Sequence, residues 1–266
     1  MRALLLAWTM APLVWQLYSS LVTPEALVDP GAVAPGAFWT LENYRQLLQA
    51  DPPIWRYLLN STIVGAGTTA LTLTLAVPCA YALQRLRGGL RWLATLALLA
   101  AAIFPTVLLF LALLQLARAL GFGNQLLALC LPYTGLSLPL AVLLLRAAFA
   151  DLPPELEDAA RLEGLNLMAR LRHVLLPLLA PAMGSTAILV FLGSWNEYPI
   201  ALTWISRPEL LTLPPAIARI AGSSLFTVPY GAFAAATVLG SLPLLLLVLL
   251  FQRAIVSGLT QGAIKG

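Results

Sequence analysis

The chain is 266 residues long, 60% hydrophobic and only 10% charged, with a formal net charge of +4 and a mean hydropathy of +0.88. Water-soluble domains carry roughly 25% charged residues, so this composition excludes a soluble globular protein. The small positive balance is accounted for by arginines flanking apolar runs and gives no argument for a nucleic-acid partner.

Six stretches lack Asp, Glu, Lys and Arg for 20 residues or more: 3–24, 57–84, 92–117, 119–145, 173–196 and 220–252. A bilayer core about 30 Å thick needs roughly 20 helical residues to cross. The chain therefore reads as one all-α polytopic membrane domain over residues 1–266. Its six spans are expected near 3–22, 57–84, 92–117, 122–145, 178–204 and 229–252, with a charged loop at 146–181.

The first apolar run, Ala3–Ser20, follows Met1-Arg2 as a signal peptide would. No small-x-small cleavage site follows it, and Pro12 and Trp15 interrupt it, so it reads as a retained span. Its shortness is what a start codon upstream of Met1 would leave behind. Residues 23–56 form the longest outside segment, with Pro-rich patches at Pro30–Pro35 and Asp51–Pro53. Within that segment, Thr40–Leu48 has helical spacing behind a capping threonine.

The second span carries Asn60, Ser61, Thr62, Gly65, Gly67, Thr68, Thr69, Thr72 and Thr74, a density of small and hydroxyl residues that suits close helix packing in lipid. A tight turn, Arg85–Arg91 with Gly88-Gly89, leads to the third span. Phe104-Pro105 there, and Pro132 and Pro139 in the fourth, mark expected kinks. Gly121–Asn124 is a short outside turn.

Next comes the one long segment that is both charged and helix-forming, Asp151–Pro181. Asp151 is placed to cap a helix whose first turn takes Pro153 and Pro154. Glu155, Glu157 and Asp158 put negative charge at the positive end of that helix dipole. Leu156, Ala159, Ala160 and Glu163 share one face. Gly164 ends the helix, Asn166 starts a second, and Pro177 is expected to limit the second, giving a two-helix knob. The fifth span holds Gly193-Ser194-Trp195-Asn196-Glu197-Tyr198-Pro199. If it is one helix, Glu197 lies about 21 Å beyond Met183, in the outer half of the membrane. An acid there must hydrogen-bond a neighbouring helix or face water.

The Lys and Arg distribution sets an orientation. With the N-terminus inside, ten of the fifteen cations (Arg2, Arg85, Arg87, Arg91, Arg146, Arg161, Arg170, Arg172, Arg253 and Lys265) fall on the cytoplasmic face. Both termini and the 151–181 knob are then cytoplasmic. Lys265 is the only lysine and is followed by a single glycine, so no phosphate-binding Gly-Lys-Ser/Thr loop exists in this polypeptide. His173 is the only histidine and reads as a helix-end or interface residue. A His-based zinc protease site is excluded. Cys79 and Cys130 fall in separate spans and suggest no disulfide framework.

Asp158-Ala159-Ala160, three residues, Gly164, nine residues, Val174-Leu175-Leu176-Pro177 resembles the EAA loop of importer-type ABC transporter permeases, with Asp for Glu and Val for Ile at intact spacing. Thr40-Leu41-Glu42-Asn43-Tyr44, Trp195-Asn196-Glu197-Tyr198 and the tail Gly258–Gly266 resemble segments of the carbohydrate, maltose-type permeases. The resemblance implies that Leu156, Asp158, Ala159, Ala160, Gly164, Leu176 and Pro177 couple the chain to a separate cytoplasmic ATPase. Asn196 and Glu197 become candidates for the translocation path. It further implies a second related permease, an ATPase dimer carrying the ATP and Mg, and an extracytoplasmic substrate-binding protein. This chain itself would hold no cofactor, metal or catalytic residue. A sugar or oligosaccharide is the expected substrate, with glycerol phosphate or a polyol as the alternative. A secondary transporter remains as a reading from another class. That class would be expected to carry several intramembrane acids, and only Glu197 stands well inside a span. A membrane enzyme is the third reading, and the sequence offers it no nucleophile–base pair.

Overall fold

The computed structural model describes residues 1–28, 38–222 and 229–261; the Pro30–Pro35 patch and the last five residues of the tail lie outside them. Among the described residues the chain is helical apart from one antiparallel bridge, Val22 with Trp39. In order the helices are α1 (Arg2–Ser20), α2 (Pro24–Val28), α3 (Glu42–Gln49), α4 (Ile54–Arg85), α5 (Gly88–Ile103), α6 (Thr106–Ala119), α7 (Cys130–Ala150), α8 (Pro154–Leu162), α9 (Leu167–Arg170), α10 (Leu176–Trp195), α11 (Pro199–Trp204), α12 (Leu213–Ala221) and α13 (Tyr230–Gln261). Four segments are long and apolar enough to cross a bilayer: Ile54–Arg85, Leu126–Ala150, Leu167–Trp195 and Tyr230–Phe251. A bent pair, Gly88–Ile103 with Leu108–Ala119, brings the number to five if it counts as one span. The segment expected as the first span is α1, whose Leu4, Leu5, Leu6 and Trp8 are all exposed.

The chain divides into two compact units. The first comprises 1–62, 123–126 and 197–246. In it, Asn43 is buried and its side-chain amide donates to the carbonyls of Ser20 (3.0 Å) and Val22 (3.1 Å). Tyr44 Oη lies 2.7 Å from Ser20 Oγ. Thr40 Oγ1 accepts from the Glu42 amide at 3.0 Å, but the cap position expected of it is taken by Leu41, which offers no side-chain bond. Further along, the Asn60 side chain donates to the carbonyls of Glu209 and Leu211, and Ser61 Oγ accepts from the Leu213 amide. Asn124, at φ 59°, accepts from the amides of Ser206 and Arg207. Loop amides and carbonyls that no helix pairs are thus satisfied by side chains.

The second unit comprises 63–122, 127–196 and 247–266. Its core is formed by α4, α7 and α10, with Ala76, Ala80, Ala141, Leu145, Leu175 and Leu179 buried. The small residues of α4 act as expected of them. A Cβ on Gly65 would lie 2.7 Å from the Phe191 ring, and one on Gly67 would lie 2.9 Å from Cys130 Sγ. Hydroxyls bond their own helix, as Thr69 does to Gly65 O (2.7 Å), or cross between helices, as Ser194 does to Thr68 and Thr72 to Thr134 (both 3.4 Å). In lipid that satisfies them without water.

The helix boundaries correct four expectations. Phe104-Pro105 is a break rather than a kink: both residues are extended, at ψ 131° and 109°, and the flanking helices meet at 89°. Asp151 does not cap the charged helix, because α7 runs on to Ala150 and takes Asp151 as its own C-terminal residue; the N-cap of α8 is Pro153. Pro177 does not end the helix that Asn166 starts. A π turn over Leu171–Leu175 precedes it and joins α9 to α10. The wider turn shifts the carbonyl that an α-helical proline ring would strike, so the helix continues. The fifth span does not reach residue 204: α10 stops at Trp195, and α11 follows after three residues.

Candidate functional site

The site begins with the end of α8. Gly164 has φ +78°, its amide donates to Arg161 O (2.9 Å), and the Leu165 amide donates to Ala160 O (3.1 Å). These two bonds form a Schellman cap, which needs the left-handed backbone that glycine adopts without strain. Two residues on, Asn166 Oδ1 accepts from the Ala169 amide at 2.9 Å, capping α9. Gly164 and Asn166 therefore make a sharp, fixed reversal between α8 and α9.

The faces of α8 are sorted. Ala160 is its one buried residue. Leu156, Asp158, Ala159 and Gly164 are exposed, so of the stripe expected along the helix Leu156, Ala159 and Glu163 are available and Ala160 is packed. The reversal also leaves Leu162 90% exposed, Met168 71% and Leu167 48%. Leu176 is partly covered and Pro177 exposed, both in the first turn of α10. These residues lie in the same unit as α8, at the N-terminal end of the long helix.

One carboxylate organises the inward side of α8. Glu157 Oε1 accepts from Tyr81 Oη (2.9 Å) and from Arg161 Nη2 (3.2 Å), and Glu157 Oε2 pairs with Arg85. Arg170 Nε stands 3.7 Å from Oε1, an ion pair beyond hydrogen-bond length. The Arg85 guanidinium lies 4.1 Å over the Tyr81 ring, and Tyr81 meets Phe149 edge-on at 5.6 Å. In the sequence Glu157 reads only as dipole charge. Nothing in the spacing of α8 points to Tyr81 and Arg85, one turn apart on α4, as its partners.

Asn196 and Glu197 are placed elsewhere. The Asn196 side chain donates to Leu192 O (2.8 Å) at the end of its own helix. The Glu197 carboxylate accepts from the amides of Ile200 (2.8 Å) and Ala201 (3.0 Å), capping α11 at its positive end. The continuous helix assumed for Glu197 is replaced by this cap. His173 Nδ1 lies 3.1 Å from Ala169 O, within the helical segment. Among the described residues no group of His, Cys, Asp and Glu is arranged to hold a metal ion.

Residues 39–261 match the family described as binding-protein-dependent transport system inner membrane component. The chain is 40% identical over 265 residues to a sulfoquinovosyl glycerol transport system permease of Agrobacterium fabrum, covering 99% of this chain and 92% of that one. It is 37% identical to a trehalose transport system permease of Mycobacterium tuberculosis, covering 99% and 95%, and 35% identical to a trehalose/maltose transport system permease of Thermococcus litoralis, covering 96% and 91%. A bacterial ABC transporter that imports the acidic polysaccharide alginate has a chain of the same fold, with TM-score 0.75 over 94% of this chain and 92% of that one, at 19% identity. The chain therefore belongs to the family of inner membrane components of binding-protein-dependent transport systems, which are transporter permease subunits and not enzymes.

Proposed function

We propose that the chain is one permease half of an ATP-driven sugar importer, paired with a second, related permease and docked on an ATPase dimer that carries the ATP and Mg. The observation that carries the docking is the exposed apolar turn between α8 and α9. Leu162, Leu167 and Met168 stand 90%, 48% and 71% exposed, where the charged α8 meets the first turn of the long Leu167–Trp195 helix. Apolar surface of this kind at the edge of a polar segment marks a protein contact. Leu156, Asp158, Ala159 and Gly164 then present the helix that enters the partner's groove, Ala160 seats its other face on this chain, and Leu176 and Pro177 join it to the long helix. The six-span arrangement, with α1 as the first span and both termini and the 146–181 loop cytoplasmic, accords with the arginine bias. A binding protein on the outside face delivers substrate.

The substrate proposed is a sugar glycoside or oligosaccharide, because the most similar permeases named above serve a sulfosugar glycerol glycoside, trehalose and maltose. A polyol or glycerol phosphate is the alternative. Copurification of a cytoplasmic ATPase with the tagged chain tests the assembly, and its absence under conditions that preserve the membrane complex would overturn it. Thermal shifts of the partner binding protein against a sugar and polyol panel identify the substrate class.

A further inference from the structure

We propose that Glu157 is a positioning residue that clamps α8 to the inner end of α4, so that movement of the docked loop drags the second span with it. The proposal deepens the docking reading above and rests on it. Apolar packing alone gives α8 little hold on the chain, since Ala160 is its one buried residue and a methyl group buries little area. Glu157 supplies the hold. Its side chain is 12% exposed, against 69% for the neighbouring Asp158.

The α4 side of the clamp is rigid in its own right. Tyr81 and Arg85 are one turn apart on α4, the guanidinium stacks on the phenol ring, and the ring is braced against Phe149 of α7. Glu157 takes a hydrogen bond from Tyr81 and an ion pair from Arg85, so two points on one rigid helix fix one carboxylate. Geometry of this kind sets direction as well as distance.

The charge balance makes the carboxylate hard to replace. Arg85, Arg161 and Arg170 all pair with Glu157. Asp158 offers Arg161 a second partner at 3.7 Å. Without the Glu157 charge, three guanidiniums would share a small volume with that one exposed carboxylate beside them. Their repulsion would push α8 away from α4.

The test uses the full importer complex in lipid nanodiscs and proteoliposomes, with a spin label on a cysteine at the exposed Glu155 of α8 in a Cys79- and Cys130-free background. Glu157→Gln, Arg85→Gln, their double variant and Arg85→Lys are compared with the parent. Glu157→Gln is expected to mobilise the label and to lower substrate transported per ATP hydrolysed about tenfold, the scale of losing one charge-assisted hydrogen bond. The ATPase should still copurify. Arg85→Gln should do the same, the double variant should be no worse than either single, and Arg85→Lys should restore most of the coupling. An unchanged label spectrum in Glu157→Gln would overturn the clamp. A mobile label with parental transport per ATP would overturn its role in coupling. Additive losses in the double variant would show that Glu157 and Arg85 act separately, and would overturn the pairing. Failure of the parent chain to bind any ATPase would sink the docking reading instead, while the label would still report whether the clamp exists.

Discussion

Gly164 offers the sharpest test of the coupling loop, because the structure separates backbone from bulk. At φ +78° an L-residue is strained, yet a Cβ built there meets nothing within 4 Å. Within this chain, substitution therefore costs backbone strain alone: about 1–2 kcal/mol for alanine, less for asparagine, and more for a β-branched residue. A cost of that size leaves a membrane protein folded and inserted but weakens the Schellman cap, so α8 loses its fixed angle to α9. In proteoliposomes containing the whole complex, Gly164→Asn, Gly164→Ala and Gly164→Val should lose transport and substrate-stimulated ATP hydrolysis in that order, at similar expression. If the loss instead follows side-chain volume, with alanine milder than asparagine, the docked partner rather than the cap sets the requirement. A Gly164→Val protein that transports like the parent would refute the assignment of this loop to coupling.

Three other outcomes are expected. In a background lacking Cys79 and Cys130, a cysteine at Gln49 should react with an impermeant thiol reagent from outside and one at Glu155 only after the membrane is opened; the reverse would invert the topology. Glu197→Ala removes the two amide bonds that start α11, at a cost of about 0.5–2 kcal/mol, whereas Glu197→Gln keeps an acceptor oxygen and should cost less. Thermal melting in detergent reads the difference, and a shift in transport affinity with unchanged melting would instead place Glu197 on the substrate path. Gly231→Ala puts a Cβ 2.6 Å from the Asn43 amide and should lower melting by at least as much as Asn43→Ala, with the double variant less than additive because both act on one contact.

What could be read from the chain in advance divides along the distance between cause and effect. Gly164 and Asn166 were legible because capping is local: a glycine after an apolar stripe and an asparagine before the next need no knowledge of the rest of the fold. The small and hydroxyl residues of α4 were legible as packing surface for a similar reason, although not which helices they would meet. The Glu157 clamp was not legible, since Tyr81 lies 76 positions away and spacing on α8 says nothing about α4. Asp151 was misjudged because two helices compete for it, and the apolar run of α7 extends further than its charge-free stretch. The stop at Trp195 is masked because an apolar run, Ile200–Ile205, resumes soon after the polar Asn196–Pro199 stretch. The signal was Tyr198-Pro199, since the residue before a proline resists helical geometry. Pro177 misled in the opposite sense: a proline is a stop in an α-helix and is tolerated behind a π turn.

The π turn at Leu171–Leu175 makes the segment from Leu167 to Trp195 one uninterrupted helical rod of 29 residues, about 43 Å long. No flexible linker separates its tip at the loop from its far end, so no conformational entropy is available to absorb a push. A stiff beam held near its middle by α7 behaves as a see-saw: when one tip is drawn in, the other swings out. In such a body, displacements at the two ends are opposite parts of a single motion, and neither end needs a signal from the other. The π turn and Pro181 would be the places along the beam where bending is cheap, and stiffening or loosening them would tune how faithfully the two ends move together.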